Sequence, residues 1–174
     1  VFMAEPPMYY RLLEESQFAA KARTWRGTRL FTCGSAPIRP EVLPRLEEIL
    51  QRPVINRYGM TESFVITSLP LDGPWPHGSV GRPLEGVELT VTDDDGGTTK
   101  CGDVGSVRIR GPNLFARYWN KPAETEAAFA GGWFDTGDLG RLDENGFLTL
   151  VGRKHDLIIV SGYNVYPQVV ERVL

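Results

Sequence analysis

At 174 residues, 41% hydrophobic and 24% charged, the chain has the size and composition of one globular domain. A formal net charge of −3 leaves no basic footprint and argues against a nucleic-acid partner. Two cysteines and two histidines are too few for a disulfide framework or a zinc cluster, and no apolar run is long enough to span a bilayer. The chain opens at Val1 without a methionine and stops at Leu174 inside an apolar-periodic segment that has no C-cap signal, so it is expected to be a fragment. Any targeting signal would then be lost with the missing N-terminus, so its absence here carries no information. The cysteine usage suits a reducing compartment.

Pro6-Pro7 opens an expected helix that runs to about Arg23, with Met8, Tyr9, Leu12 and Leu13 at helical spacing. Its apolar face reads as core or as the wall of a substrate pocket. Arg29-Leu30-Phe31-Thr32 is a strand that runs into Cys33-Gly34-Ser35-Ala36-Pro37. This small-residue turn suits close approach of a flat ligand to the backbone, and a plain strand-to-helix connection explains it equally well. A helix from about Pro40 carries Val42, Leu46, Ile49 and Leu50 on one face, and residues 54 to 58 form the next strand. This strand–helix–strand unit implies a parallel sheet.

That strand leads into Arg57-Tyr58-Gly59-Met60-Thr61-Glu62. Gly59 is expected to permit a sharp turn, and such turns at strand ends are where open α/β sheets place ligands. Tyr58 offers a flat face to a base, Thr61 a hydroxyl to a phosphate, and Glu62 a hard oxygen to Mg²⁺, which prefers one or two carboxylates plus phosphate oxygens. The same residues also read as a strand ending in a tight turn with a helix-capping threonine.

Residues 70 to 86, rich in Pro and Gly, form a connector. Residues 87–92 and 105–110 alternate apolar and polar and read as strands, so 80 to 115 is expected to be a small antiparallel unit appended to the parallel sheet. A helix follows from Pro122 to Ala130. Thr136-Gly137-Asp138 comes after a short Trp-Phe strand, and Arg141 to Leu150 is a hairpin turning at Asn145-Gly146. Gly152-Arg153-Lys154-His155-Asp156 interrupts the pattern before strand 157–160. Pro167 then stands at the first position of a last helix. Taken alone, Asp138 is a turn carboxylate and Arg153 a solvated surface charge.

Together, Gly34-Ser35-Ala36-Pro37, Tyr58-Gly59-Met60-Thr61-Glu62, Thr136-Gly137-Asp138, Gly152-Arg153 and Ser161-Gly162-Tyr163-Asn164-Val165-Tyr166-Pro167 resemble, in order and spacing, the adenylate-forming superfamily of acyl-CoA synthetases, luciferases and adenylation domains. The run Leu157 to Pro167 looks like that of a CoA ligase. Gly111-Pro112-Asn113-Leu114-Phe115 and Tyr118-Trp119-Asn120-Lys121-Pro122, taken with the Arg57–Glu62 stretch, look most like malonyl-CoA and methylmalonyl-CoA synthetases.

The resemblance implies an α/β fragment. Residues 1–152 would be the C-terminal part of a large parallel-sheet domain with its small β unit, and 153–174 the hinge and the start of an α+β C-terminal domain. It also implies a ligase that uses ATP, Mg²⁺ and CoA on a small-molecule acid. In that reading Thr61 holds phosphate oxygens, Glu62 holds Mg²⁺, and Asp138 and Arg153 contact the ribose. Tyr58 and Gly59 flank the adenine beside the backbone of Gly34, Ser35, Ala36 and Pro37. Gly162 lies along the CoA path.

Arg57 is a candidate for holding a second carboxylate on the acid, as a guanidinium does bidentately, or else it pairs with a structural acid. His155 stands at the family's hinge position, where Asp or Lys is common, and Val169 stands where relatives often have Glu. The resemblance places a phosphate-binding loop upstream and an adenylate-forming Lys downstream, so the 174 residues alone are expected to be inactive. Fatty-acyl or aryl-CoA ligases, and a non-catalytic nucleotide-binding module, are the alternatives.

Overall fold

The structure is a computed structural model that describes residues 1–160, 163–167 and 170. Strands β1 (Phe2–Ala4), β2 (Phe31–Cys33) and β3 (Val54–Met60) run parallel in that order. β4 (Phe64–Ser68) and β5 (Arg82–Pro83) extend the same sheet antiparallel. Helices α1 (Pro6–Glu14) and α2 (Phe18–Ala22) carry the chain from β1 to β2, and α3 (Leu43–Leu50) carries it from β2 to β3. The parallel unit expected from the strand–helix–strand pattern is therefore present, and the architecture is mixed α/β with two main sheets.

The expected helix over 6 to 23 is two helices, because residues 15 to 17 leave the helical path: Glu15 has ψ 116°. Phase explains the break. Tyr9 and Phe18 are nine residues apart, and at 3.6 residues per turn a straight helix would set them about 180° apart. The break puts both side chains into one core, with Phe31, Leu46 and Val54. Val54 and Ile55 then feed different clusters, as alternation in a strand requires. Val54 faces the helices, while Ile55 packs with Leu69 and Phe147 on the opposite side.

The second sheet is antiparallel. It contains β6 (Glu88–Thr92), β7 (Gly105–Arg110), β8 (Phe129–Ala130), β9 (Trp133–Leu142) and β10 (Leu148–Arg153), in the order β10-β9-β7-β6 with β8 paired to β9. Helix α4 (Pro122–Ala128) precedes β8. The antiparallel unit expected over 80 to 115 is thus one part of a sheet that runs on to Arg153. Thr136-Gly137-Asp138, expected to follow a strand, lies inside β9. The expected helix to Ala130 ends at Ala128, where the chain turns extended. β11 (Ile158–Val160) and β12 (Tyr163–Val165) pair with each other as a separate hairpin. No helix among the described residues is long and apolar enough to cross a membrane.

The two large sheets are stitched together by the 70–86 connector. Ser79 donates its hydroxyl to the Leu148 carbonyl at 2.8 Å, and Thr67 donates to the Val80 carbonyl at 2.7 Å. Val80 and Gly81 exchange backbone bonds with Leu148 at 2.9 and 2.8 Å. Tyr58 and Ile66 from the first sheet share one apolar cluster with Val107, Phe134 and Leu148 from the second.

The sharp turn expected at Gly59 is not there. β3 runs extended through Gly59 to Met60, with a bulge at Tyr58/Gly59, and the chain reverses over 61–63, where the Ser63 N–H donates to the Met60 carbonyl at 3.1 Å. Glycine is needed at 59 for close approach: a Cβ there would sit 1.9 Å from the Phe64 carbonyl oxygen. The left-handed residue is Phe64 itself, at φ 55° and 79% exposed. An exposed ring loses little burial on removal, while a left-handed L-residue costs roughly 1–2 kcal/mol. Phe64→Gly is therefore expected to raise stability by about 1 kcal/mol, and Gly59→Ala to lower it by at least about 2 kcal/mol. Thermal denaturation of the two variants checks the pair, and equal effects of the same sign would contradict this account.

Candidate functional site

The site forms where the end of β3 meets β9 and β10. Tyr58 and Asp138 are both buried, at 8% and 7% exposure. The Tyr58 hydroxyl donates to Asp138 Oδ2 at 2.5 Å, a bond from one sheet to the other. Burial, then the adjacent carboxylate, pushes the Tyr58 phenol far up, so it remains a donor. Burial also pushes the Asp138 carboxyl up, the Tyr58 hydrogen bond and Arg153 pull it part of the way back, and Asp135 adds to the rise. Asp138 Oδ1 faces Arg153 Nε at 3.4 Å, but Arg153 is 66% exposed, so solvent screens this pair. Register explains the meeting, because Arg153 stands opposite Asp138 on the neighbouring strand. Asp138 is further held through its N–H, which donates to Thr136 Oγ1 at 3.2 Å.

Two adjoining hollows share Ser35, Arg57, Tyr58, Gly59 and Arg153 as a common wall. The inner one, about 130 Å³, is also lined by Ala36, Pro37, Asn56 and Asp138. The outer one, about 530 Å³, is lined by Gly34, Met60, Thr61, Glu62, Phe64 and Val65. The segment expected to border a base and the segments expected to border ribose thus converge on the inner hollow, and the phosphate and metal candidates lie on the outer one. Ser35 holds φ 71°, and a Cβ on Gly34 would come 3.4 Å from the Arg57 carbonyl oxygen, so this loop lies tightly against β3. Arg57 is half-buried, and its Nε is buried with no hydrogen-bond partner among the described residues.

Glu62 is half-buried and Thr61 exposed. Among the described residues, no three His, Cys, Asp or Glu side chains are placed to hold a metal together. A single carboxylate beside an open hollow fits Mg²⁺, which is held chiefly by phosphate oxygens and water and does not require a protein cage. His155 lies exposed in the turn Lys154–Asp156 and lines neither hollow. Gly162 and Val169 lie outside the described residues. Cys33 is packed in the core with its thiol pushed up to about 12 by burial, which leaves it inert as a nucleophile.

Three features escaped the reading of the sequence. The Tyr58 hydroxyl is committed to Asp138, so this tyrosine joins the sheets as well as offering a face. Phe64 places an exposed ring on the outer hollow. Tyr118 donates its hydroxyl to Glu62 Oε1 at 2.9 Å. Its phenol is pushed up by burial first and by the Glu62 bond second. The two hydrogen bonds link residues far apart in the chain; Tyr58, Asp138 and Glu62 stood out beforehand one by one, and the Tyr118 stretch only as a resemblance without an assigned role.

Comparison with known proteins matches residues 1–119 to the family model described as AMP-binding enzyme. The long-chain-fatty-acid–CoA ligase of Yersinia pestis is 37% identical over 84% of this chain and 26% of its own length. The malonate–CoA ligase of Arabidopsis thaliana is 36% identical over 100% of this chain and 29% of its own. The crystal structure of ATP-bound MatB from Rhodopseudomonas palustris superposes with a TM-score of 0.91 at 40% identity, covering 98% of this chain and 34% of that one. The chain therefore spans about a third or less of the length of these relatives. It belongs to the AMP-binding enzyme family, whose members similar to it include acid–CoA ligases.

Proposed function

We propose that the protein carrying this chain is an ATP-dependent acid–CoA ligase acting on a small dicarboxylate such as malonate. Residues 1–152 belong to its large adenylating domain, and 153–174 to the hinge, with His155 at the pivot, and the start of its small domain. The acid's carboxylate oxygen attacks the α-phosphorus of ATP, the bond to the β-phosphate breaks, and pyrophosphate leaves. The CoA thiol sulfur then attacks the acyl carbon, losing its proton, and AMP departs. Such transfers are accelerated mostly by positioning and charge neutralisation. Asp138 accepts from the ribose hydroxyls, with Arg153 alongside, while Tyr58 and the 34–37 backbone flank the base. Thr61 donates to phosphate oxygens, and Glu62 would hold a Mg²⁺ ion, which would supply neutralisation of phosphate charge. Gly162 leaves room for CoA.

The observation that carries the choice of acid is Arg57. A guanidinium whose buried Nε lacks a partner among the described residues, set in the wall shared by both hollows, suits a carboxylate that survives activation. A second reading has its own support: Met60, Phe64 and Val65 give the outer hollow an apolar side, which suits a monocarboxylate with a hydrocarbon chain.

Three outcomes are expected. In the full-length protein, Arg57→Leu lowers kcat/KM for malonate at least about a hundredfold, in line with truncating a buried charged contact of 3 kcal/mol or so. It leaves a medium-chain monocarboxylate within a few-fold. A screen of acids by AMP release reads this, and equal losses for both acids would remove the dicarboxylate assignment.

Asp138→Asn weakens ATP binding but relieves a buried charge. Because the folded Asp138 carboxyl lies above its ordinary value, its contribution to stability is greatest below the ordinary carboxylate range and is lost as pH rises through the folded value. The melting temperature of Asp138→Asn minus that of the parent is therefore more positive at pH 7 than at pH 4. A difference that does not change with pH would contradict this.

The 174 residues alone give no ATP–pyrophosphate exchange while the full-length protein does. Robust exchange by the short chain would overturn the assignment of further catalytic groups to flanking segments.

A further inference from the structure

The turn that carries Thr61 and Glu62 is gripped from outside its own sheet. Residues 111 to 119 leave the second sheet after β7 and cross to this turn. There the Phe115 N–H donates to the Glu62 carbonyl at 2.8 Å, and Asn113 Nδ2 donates to the Ser63 carbonyl at 2.8 Å. The Tyr118 hydroxyl takes Glu62 Oε1 at 2.9 Å. The strap is itself well anchored. The Phe115 ring lies 4.6 Å from that of Tyr118 and meets Phe134 of the second-sheet core edge-on at 5.5 Å. The Tyr118 N–H donates to Thr125 Oγ1 at 3.0 Å, and that hydroxyl donates to the Lys121 carbonyl at 2.7 Å. Gly111 keeps the strap close, since a Cβ there would fall 2.9 Å from the Gly86 carbonyl oxygen.

We propose that Tyr118 is a positioning residue for Glu62: its hydroxyl holds one carboxylate oxygen in place, so that the other is presented to the outer hollow as a ready ligand for a divalent cation that arrives with a nucleotide. This rests on the reading of Glu62 as the Mg²⁺ carboxylate. A free glutamate on a hairpin turn samples several rotamers, and binding a cation would have to fix one of them. Here the phenol and the two backbone contacts fix it beforehand. Hydrogen-bonded support of a ligating carboxylate is generally worth a tenfold or larger effect on metal affinity. The strap also makes the metal carboxylate depend on the second sheet, although Glu62 belongs to the first.

The test is calorimetric titration of the full-length protein with ATP at graded Mg²⁺ and in EDTA, and with AMP. The variants are Tyr118→Phe, Glu62→Gln and the double mutant, with melting temperatures recorded alongside. Tyr118→Phe keeps the ring and its tilted contact with Phe115. It is expected to weaken the Mg²⁺-dependent part of ATP binding roughly tenfold and to leave binding of AMP, and of ATP in EDTA, unchanged. Glu62→Gln should lose the Mg²⁺ dependence, and adding Tyr118→Phe to it should cost nothing more. If Glu62→Gln loses the dependence but Tyr118→Phe does not, the positioning role fails and the Glu62 assignment stands. If Glu62→Gln keeps the dependence, the Glu62 assignment fails and takes the proposal with it. Equal weakening of AMP and metal-free ATP by Tyr118→Phe, or additive effects in the double mutant, reduces Tyr118 to packing and overturns the proposal.

Discussion

The hydrogen bond from Tyr58 to Asp138 is the constraint on which the rest of the site depends. It joins β3 to β9, an inner strand of each of the two sheets, by a direct bond between two buried side chains. An aspartate at 7% exposure is tenable only if its charge is compensated, and the compensation comes from both directions: a phenol from the first sheet and, more weakly, an exposed guanidinium from β10. The stitch between Ser79–Gly81 and Leu148 sets the two sheets at the separation this bond requires. The hollow follows from the same geometry. It opens where the 34–37 loop, the end of β3 and the β9–β10 pair approach one another without filling the space between them.

Much of the site was legible in the sequence because its pieces are local. Short strands with clean alternation, such as 105–110, fall where the pattern puts them. The residues expected to gather around a nucleotide do line adjoining hollows. What could not be read was mostly long-range. Gly59 and Phe64 show why: the sequence signals that a glycine is required, but not whether the need is positive φ or the approach of another strand, and here it is the second. The polar run Thr136-Gly137-Asp138 looks like a loop. It is strand because Thr136 bonds the Val107 carbonyl at 2.9 Å and Asp138 finds its partner on the other sheet. The break in the helix after Glu14 answers to a phase mismatch between Tyr9 and Phe18, which becomes visible only when both must reach one core.

The polar groups at the site differ from the hydroxyls that brace the two sheets. Thr67, Ser79 and Thr136 are buried and satisfied by backbone carbonyls. Around the hollow the accounts stay open. Asp138 is only partly neutralised, Arg57 Nε has no partner among the described residues, and Phe64 sits in the left-handed region with its ring in solvent. Structures ordinarily remove such costs, because each lowers stability without helping the fold. Buried polar atoms without a partner among the described residues also occur away from the hollows, on Thr32, Ser63, Trp75, Thr92, Arg108 and Asn113. What marks the hollows is that a partly compensated carboxylate and a guanidinium nitrogen without such a partner both line the inner one, which suits a ligand with its own hydroxyls and anionic oxygens. An anion accepting from Arg57 would supply its missing partner, and a ribose donating to Asp138 would add to the compensation that Tyr58 and Arg153 begin. The binding energy released would then come partly from relieving unsatisfied groups, so the residues that most weaken the empty protein are those expected to contribute most to recognition.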